Sequence, residues 1–127
     1  MRTLPLMLVL LFASPALAAG SWVGQAGPVG VFMADRAASS AQMKPPAAVS
    51  DGAIQEVRWR YRVAPGQKVV GWLCHPGGCT ELSGPRGLSR RLAGVPATTP
   101  LHFRFALAPG QRTAARVSEL QVIVNYR

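Results

Sequence analysis

Val57-Arg58-Trp59-Arg60-Tyr61-Arg62-Val63 alternates apolar and basic side chains along its whole length. A period of two is typical of a β-strand with one face in a core and the other in solvent. We therefore predict a half-buried strand that exposes Arg58, Arg60 and Arg62 as a docking stripe for an acidic partner. Because rings and charges point to opposite faces, this pattern does not suit stacking on single-stranded nucleic acid.

Similar patterns recur on both sides of this stretch. Residues 68–74 and 79–82 flank Pro76-Gly77-Gly78 and predict an antiparallel hairpin. Residues 100–107 alternate in the same way. Residues 120–126 predict a long terminal strand that is a candidate for the centre of a sheet.

Weaker patterns fill the rest of the chain. Residues 29–34 and 88–92 predict short strands, the latter carrying Arg90 and Arg91. Residues 37–50 predict a loop or an irregular sheet edge, and residues 83–87 resemble a loop. Apolar spacing typical of a helix does not persist anywhere. The fold class predicted is therefore all-β, a small antiparallel β-sandwich with an open barrel as the alternative.

One short sequence occurs twice. Ala64-Pro65-Gly66-Gln67 and Ala108-Pro109-Gly110-Gln111 each follow an alternating strand. No longer repeat surrounds either copy, so we interpret them as recurring turn chemistry.

The first eighteen residues have the organisation of a secretory signal peptide. Met1-Arg2 is a basic n-region, an apolar segment follows over residues 4–13, and Ala16-Leu17-Ala18 is a small-x-small cleavage site. We expect a periplasmic mature chain, residues 19–127, that forms a single β-sandwich domain. The apolar segment is about half the length that spans a bilayer, so no stable membrane anchor is expected.

Cys74 and Cys79 are the only cysteines in the chain. An oxidising compartment and the turn-forming residues between them favour a disulfide across the hairpin. A zinc site would need His75 and a recruited His102, and this spacing matches no common zinc motif. A redox-active pair would normally be Cys-x-x-Cys at a helix start. We therefore predict a structural disulfide, with no metal and no cofactor.

No catalytic motif is apparent in the sequence. His75 falls in a predicted turn and His102 on the polar face of a predicted strand, while the five carboxylates show no pairing by spacing. A nucleophile elbow of the Gly-x-Ser-x-Gly type is absent, as is a phosphate-binding glycine loop. We expect no catalytic residues and no enzyme activity.

The chain is strongly basic, with 14 Lys and Arg against 5 Asp and Glu and a formal charge of +9, or +8 without Arg2. Such a charge favours anionic partners. Nucleic acid is not expected in an exported setting, which leaves anionic lipid, carbohydrate polymers and acidic protein surfaces.

Several segments, in this order and spacing, resemble a known family. They are the signal peptide, Val57-Arg58-Trp59-Arg60-Tyr61, Leu73-Cys74 with Cys79-Thr80-Glu81-Leu82, Val95-Pro96-Ala97, Pro100-Leu101, and Gln121-Val122-Ile123-Val124-Asn125-Tyr126-Arg127. In these features the chain resembles the flagellar protein FlhE family, mainly after residue 55.

The resemblance implies a periplasmic, non-enzymatic accessory of flagellum assembly that acts like a chaperone and limits proton leakage through the export apparatus. Its implied partners are flagellar rod subunits or the export gate, and the sequence does not choose between them. It implies no catalytic residue and no oligomeric state. The alternative hypothesis is a periplasmic module that binds anionic carbohydrate or lipid, for which the positive charge is the motive.

Overall fold

The computed structural model describes residues 3–5 and 19–127. Most of the predicted signal peptide, residues 1–18, lies outside the described residues. Within the described ranges the secondary structure consists of strands. They are β1 Gly20–Ala26, β2 Val29–Val31, β3 Ala38–Ser39, β4 Ile54–Val63, β5 Val69–His75, β6 Gly78–Glu81, β7 Arg86–Ser89, β8 His102–Leu107 and β9 Ala115–Tyr126. A helix long and apolar enough to cross a membrane does not occur among these residues.

The strands form two antiparallel sheets. The first has the order β1-β9-β4-β7, and β2 pairs with β9 beyond the end of β1. The second has the order β3-β8-β5-β6. Buried residues from both sheets form one core. This arrangement confirms the predicted antiparallel β-sandwich, and the sheets do not close into the alternative barrel.

Strand β4 has the alternation that its sequence predicts. Val57, Trp59 and Tyr61 are buried, whereas the arginines between them are exposed. The ring of Tyr61 meets Phe105 edge-on at a centroid distance of 5.0 Å and Phe103 at 6.4 Å. These two phenylalanines belong to the opposite sheet and stack on each other at 5.7 Å. The aromatic contact therefore joins the two sheets.

Strand β9 is the central strand of the first sheet. It pairs with β1, β2 and β4, in agreement with the prediction that the terminal strand could be central. A bulge interrupts it opposite Arg60 and Arg62, where Glu119 has a φ of 54°. The bulge shifts the buried face from Val117 to Leu120, so that a strict alternation cannot describe the whole strand.

Three sequence expectations need correction. The short strand predicted at residues 29–34 ends at Val31, and β1 has no counterpart in the sequence prediction because the pattern before residue 53 is weak. The short strand predicted at residues 88–92 lies instead at Arg86–Ser89, and Arg90 and Arg91 follow its end. Most of residues 83–87 form the predicted loop, but Arg86 and Gly87 belong to β7.

The predicted hairpin and disulfide are confirmed. Strands β5 and β6 pair antiparallel, and Cys74 lies directly opposite Cys79 with a Cα–Cα distance of 4.0 Å. The side chain of Cys74 is buried, while Cys79 is exposed. The bond closes a short loop next to the core, and it therefore restricts the unfolded chain.

Reduction of this disulfide should lower the free energy of unfolding by about 2 kcal/mol, since the closed loop is short. Chemical unfolding with and without dithiothreitol measures the difference. The double variant Cys74→Ala/Cys79→Ala should be insensitive to the reductant. Equal stability of the oxidised and reduced protein would contradict a stabilising role.

Gly87 should not tolerate a side chain. It lies opposite Trp59, and a Cβ at this position would overlap the indole ring, which is held by a 2.9 Å hydrogen bond from its Nε1 to the carbonyl oxygen of Gly84. Gly87→Ala should therefore destabilise the fold by about 1–3 kcal/mol. Gly84→Ala is the matched control, because a Cβ there meets open space. Similar unfolding midpoints for both variants would refute this account.

Candidate functional site

The outer surface of the first sheet carries a shallow depression of about 530 Å³ between β4, β7 and β9. We call it the basic face. Its lining residues that point outward are Arg58, Arg60, Arg86, Leu88, Gln121 and Ile123.

Strand register arranges the basic face in two rows. Arg58 lies opposite Leu88 on one side and Ile123 on the other, and Ile123 in turn lies opposite Val23 of β1. Val23 and Leu88 are 51% and 40% exposed. An arginine is therefore set within an exposed apolar row, which suits a partner that is both acidic and partly apolar.

The second row places like charges together. Arg60 lies opposite Arg86 on β7 and opposite Gln121 on β9. Cross-strand pairs of like charge destabilise a sheet by up to about 1 kcal/mol. In the described part of the chain neither arginine has an ion-pair partner, and neither does Arg58. The fold therefore maintains a concentrated positive charge on an open surface.

The carboxylates near this face are engaged at its borders. Glu119 pairs with Arg62 at 3.9 Å, and Glu56 pairs with Arg90 at 3.7 Å while also accepting a hydrogen bond from Asn125. The Arg62 pair is highly exposed and contributes little to stability. Both pairs nevertheless neutralise charge at the edges of the face and leave its centre positive.

The sequence-predicted stripe is thus placed on one exposed face, but its members differ in surroundings. Arg58 and Arg60 line the depression, whereas Arg62 lies beyond it beside Glu119. Arg86 replaces it as the third arginine of the depression. Sequence analysis missed Arg86 because residues 83–87 resemble a loop, and only the β4–β7 register brings it opposite Arg60.

The second sheet carries the disulfide and both histidines. His75, expected in a turn, is the last residue of β5, and His102 is the first residue of β8. Cys74 lies between Cys79 and His102 in the ladder. Burial, and then the charge of Arg104, lower the pKa of His102 and favour the neutral imidazole. Across the described residues no cluster of three or more His, Cys, Asp or Glu side chains could hold a metal ion.

Comparison with known proteins gives one consistent result. A family model described as flagellar protein FlhE matches residues 30–127. The flagellar protein FlhE of Yersinia enterocolitica is 39% identical, over 88% of this chain and 84% of that protein. The protein of the same name from Escherichia coli K12 is 36% identical over the whole of both chains. A crystal structure of FlhE superposes with a TM-score of 0.77 at 32% identity, covering 87% of this chain and 98% of the other.

The repulsion between Arg60 and Arg86 can be measured. Arg86→Gln should raise the free energy of unfolding at low ionic strength, by about 0.2–1 kcal/mol, because it removes one of two opposed charges. The gain should disappear in 1 M salt, where screening acts over about 3 Å.

The matched control for that experiment is Arg58→Gln. Arg58 lies opposite Leu88 and Ile123 rather than another cation, so this substitution should change the free energy of unfolding less than Arg86→Gln does. A loss of stability in Arg86→Gln at low salt would show that the two guanidinium groups do not repel each other significantly.

Proposed function

The chain belongs to the FlhE family of flagellar proteins, and from that premise we propose that it is a periplasmic, non-enzymatic accessory of flagellum assembly that binds flagellar proteins through its basic face. The observation that carries this proposal is the group Arg58, Arg60 and Arg86, which lacks ion-pair partners among the described residues and shares one depression with Leu88 and Ile123.

The composition of this face is that of a protein-binding surface. Arginine is enriched in interfaces, where its guanidinium group makes several hydrogen bonds while its stem covers apolar area. Leu88 and Ile123 offer apolar contact at the centre, with Gln121 as a neutral donor and acceptor. An acidic segment of a partner, carrying one or two apolar side chains, would satisfy both rows at once.

A sheet edge borders the same surface. Among the described residues, strand β7 is the last strand of its sheet and pairs with β4 alone. Its outer backbone groups are therefore open to an added strand from a partner. A strand added there would lie beside Arg86 and Leu88, so edge pairing and charge recognition would act on one ligand.

Retention of an assembly subunit on this surface accounts for a chaperone-like role. A flagellar rod subunit bound at β7 would have its own strand or acidic segment covered until it reached its assembly site. Binding of the export gate instead would place the protein where proton leakage is limited. The Cys74–Cys79 disulfide supports the periplasm as the place of action, since such bonds persist in oxidising compartments.

The basic face can be tested by reversing two charges. Arg58→Glu/Arg60→Glu should reduce the capture of flagellar proteins by periplasmic crosslinking at least tenfold and should impair swimming, because it opposes the charge of an acidic partner. Lys44→Glu/Arg91→Glu is the matched control, as both residues are exposed and lie outside this face. Mass spectrometry of the captured protein distinguishes rod subunits from the export gate.

Two results would overturn the proposal. Wild-type capture by Arg58→Glu/Arg60→Glu would remove the basic face from partner binding, and unchanged flagella and swimming after gene deletion would remove the flagellar role. A salt titration separates the two modes of binding, since charge recognition weakens with ionic strength whereas strand addition persists. Capture of anionic carbohydrate in place of protein would favour the alternative binding module.

A further inference from the structure

The two Ala-Pro-Gly-Gln turns lie side by side at one end of the sandwich. In each turn the glutamine N–H donates to the alanine carbonyl oxygen, from Gln67 to Ala64 at 3.1 Å and from Gln111 to Ala108 at 3.0 Å. The glycines have φ values of 81° and 87°, as the third position of a type II turn requires. Two copies of one turn are therefore built into the same end of the molecule.

The glutamine side chains cross-link these turns reciprocally. Gln67 donates to the Ala114 carbonyl oxygen at 3.2 Å and accepts from the Arg116 N–H, just after the second turn. Gln111 accepts from the Lys68 N–H, just after the first turn, at 3.3 Å. The backbone that carries Lys68 and Arg116 is thereby held in a fixed arrangement.

Phe32 and Met33 project from the same end. Their side chains are 74% and 51% exposed. The Phe32 ring lies over Gly30 and borders a depression of about 480 Å³ together with Gln67 and Arg116. The Met33 carbonyl oxygen accepts a 2.9 Å hydrogen bond from the Leu107 N–H, so this exposed segment is fastened to the second sheet.

Basic side chains accompany the two apolar ones. We call this surface the turn end and define it by Phe32, Met33 and the exposed cations Arg36, Lys68, Arg112 and Arg116. Asp35 is the one acid in the segments that form it, residues 28–36, 64–68 and 108–116. In the described part of the chain none of these cations is within ion-pair distance of a carboxylate.

We propose that the turn end docks on the surface of an anionic phospholipid bilayer. Phe32 and Met33 enter the boundary between head groups and acyl chains, where aromatic and apolar side chains are favoured. The four cations contact lipid phosphates, and each adds to the attraction. The apolar pair and the cations are both needed, because stable attachment at a membrane surface combines an apolar insertion with a basic patch.

The composition of the turn end favours a bilayer over a protein partner. Its apolar pair is more exposed than Leu88 of the basic face, and four exposed cations accompany it with Asp35 as the one acid in these segments. Docking through the turn end would leave the centre of the basic face open. The two surfaces are therefore independent, and either can function if the other does not.

The test uses the purified protein and sedimentation with vesicles at physiological ionic strength. It should bind vesicles of equal parts phosphatidylcholine and phosphatidylglycerol but not phosphatidylcholine alone. Phe32→Ser/Met33→Ser and Lys68→Gln/Arg112→Gln should each weaken binding at least tenfold. Lys44→Gln/Arg91→Gln removes equal charge outside the turn end and should bind like the wild type.

A second measurement reports insertion directly. Phe32→Trp should add fluorescence that shifts to the blue on anionic vesicles, because the indole enters a less polar medium. Trp22 and Trp59 are buried and Trp72 is partly buried, so the wild-type protein with the same vesicles supplies the background spectrum. Thermal unfolding verifies that each variant is folded. The proposal is overturned if anionic vesicles are not bound, if both vesicle types are bound equally, or if either turn-end variant binds like the wild type.

Discussion

The contact of Tyr61 with Phe103 and Phe105 is the interaction on which the rest of the structure depends. It joins the two sheets, because the Tyr61 ring centroid lies 5.0 Å from that of Phe105 and 6.4 Å from that of Phe103. Gly71 of β5 leaves room for these rings, because a Cβ at this residue would lie 3.1 Å from the Phe105 ring. Once Tyr61 faces inward, the period of two requires its neighbours to face outward, and a one-residue slip would bury arginines. The position of the basic face is therefore a consequence of core packing.

The strands that could be predicted from the sequence are those whose buried positions carry large apolar side chains. Strands β4 and β8 meet this condition. Strand β5 also has an inward glycine, Gly71, but Val69, Val70, Trp72 and Leu73 still give it a recognisable apolar pattern. Strands β1 and β7 do not meet the condition, because an inward position in each is a glycine covered by a tryptophan. Trp22 lies over Gly24 in β1, and Trp59 lies over Gly87 in β7. One indole fills the volume of two residues, so an alternating apolar pattern is absent although the core is filled.

The sequence pattern also fails to predict the full composition of the basic face. Local alternation predicts that Arg58, Arg60 and Arg62 share a face, but it contains no information on which strand lies beside them. Arg86 joins through strand register, and Arg62 is separated from the depression beside Glu119, where the bulge in β9 occurs. Pairings between distant residues and a bulge at a non-glycine residue depend on tertiary packing. The two turn motifs were visible in the sequence, but their mutual cross-linking was not.

Strand β9 follows every strand with which it pairs. Strands β1, β2 and β4 make no sheet with one another until residues 115–126 lie between or beside them. A chain that emerges from a ribosome or passes through a membrane channel with its amino end first therefore remains without this sheet until almost its whole length is available. Contacts between such distant segments form slowly. The second sheet, by contrast, contains only strands that precede β9, so the order of the strands along the chain delays one layer of the sandwich and not the other.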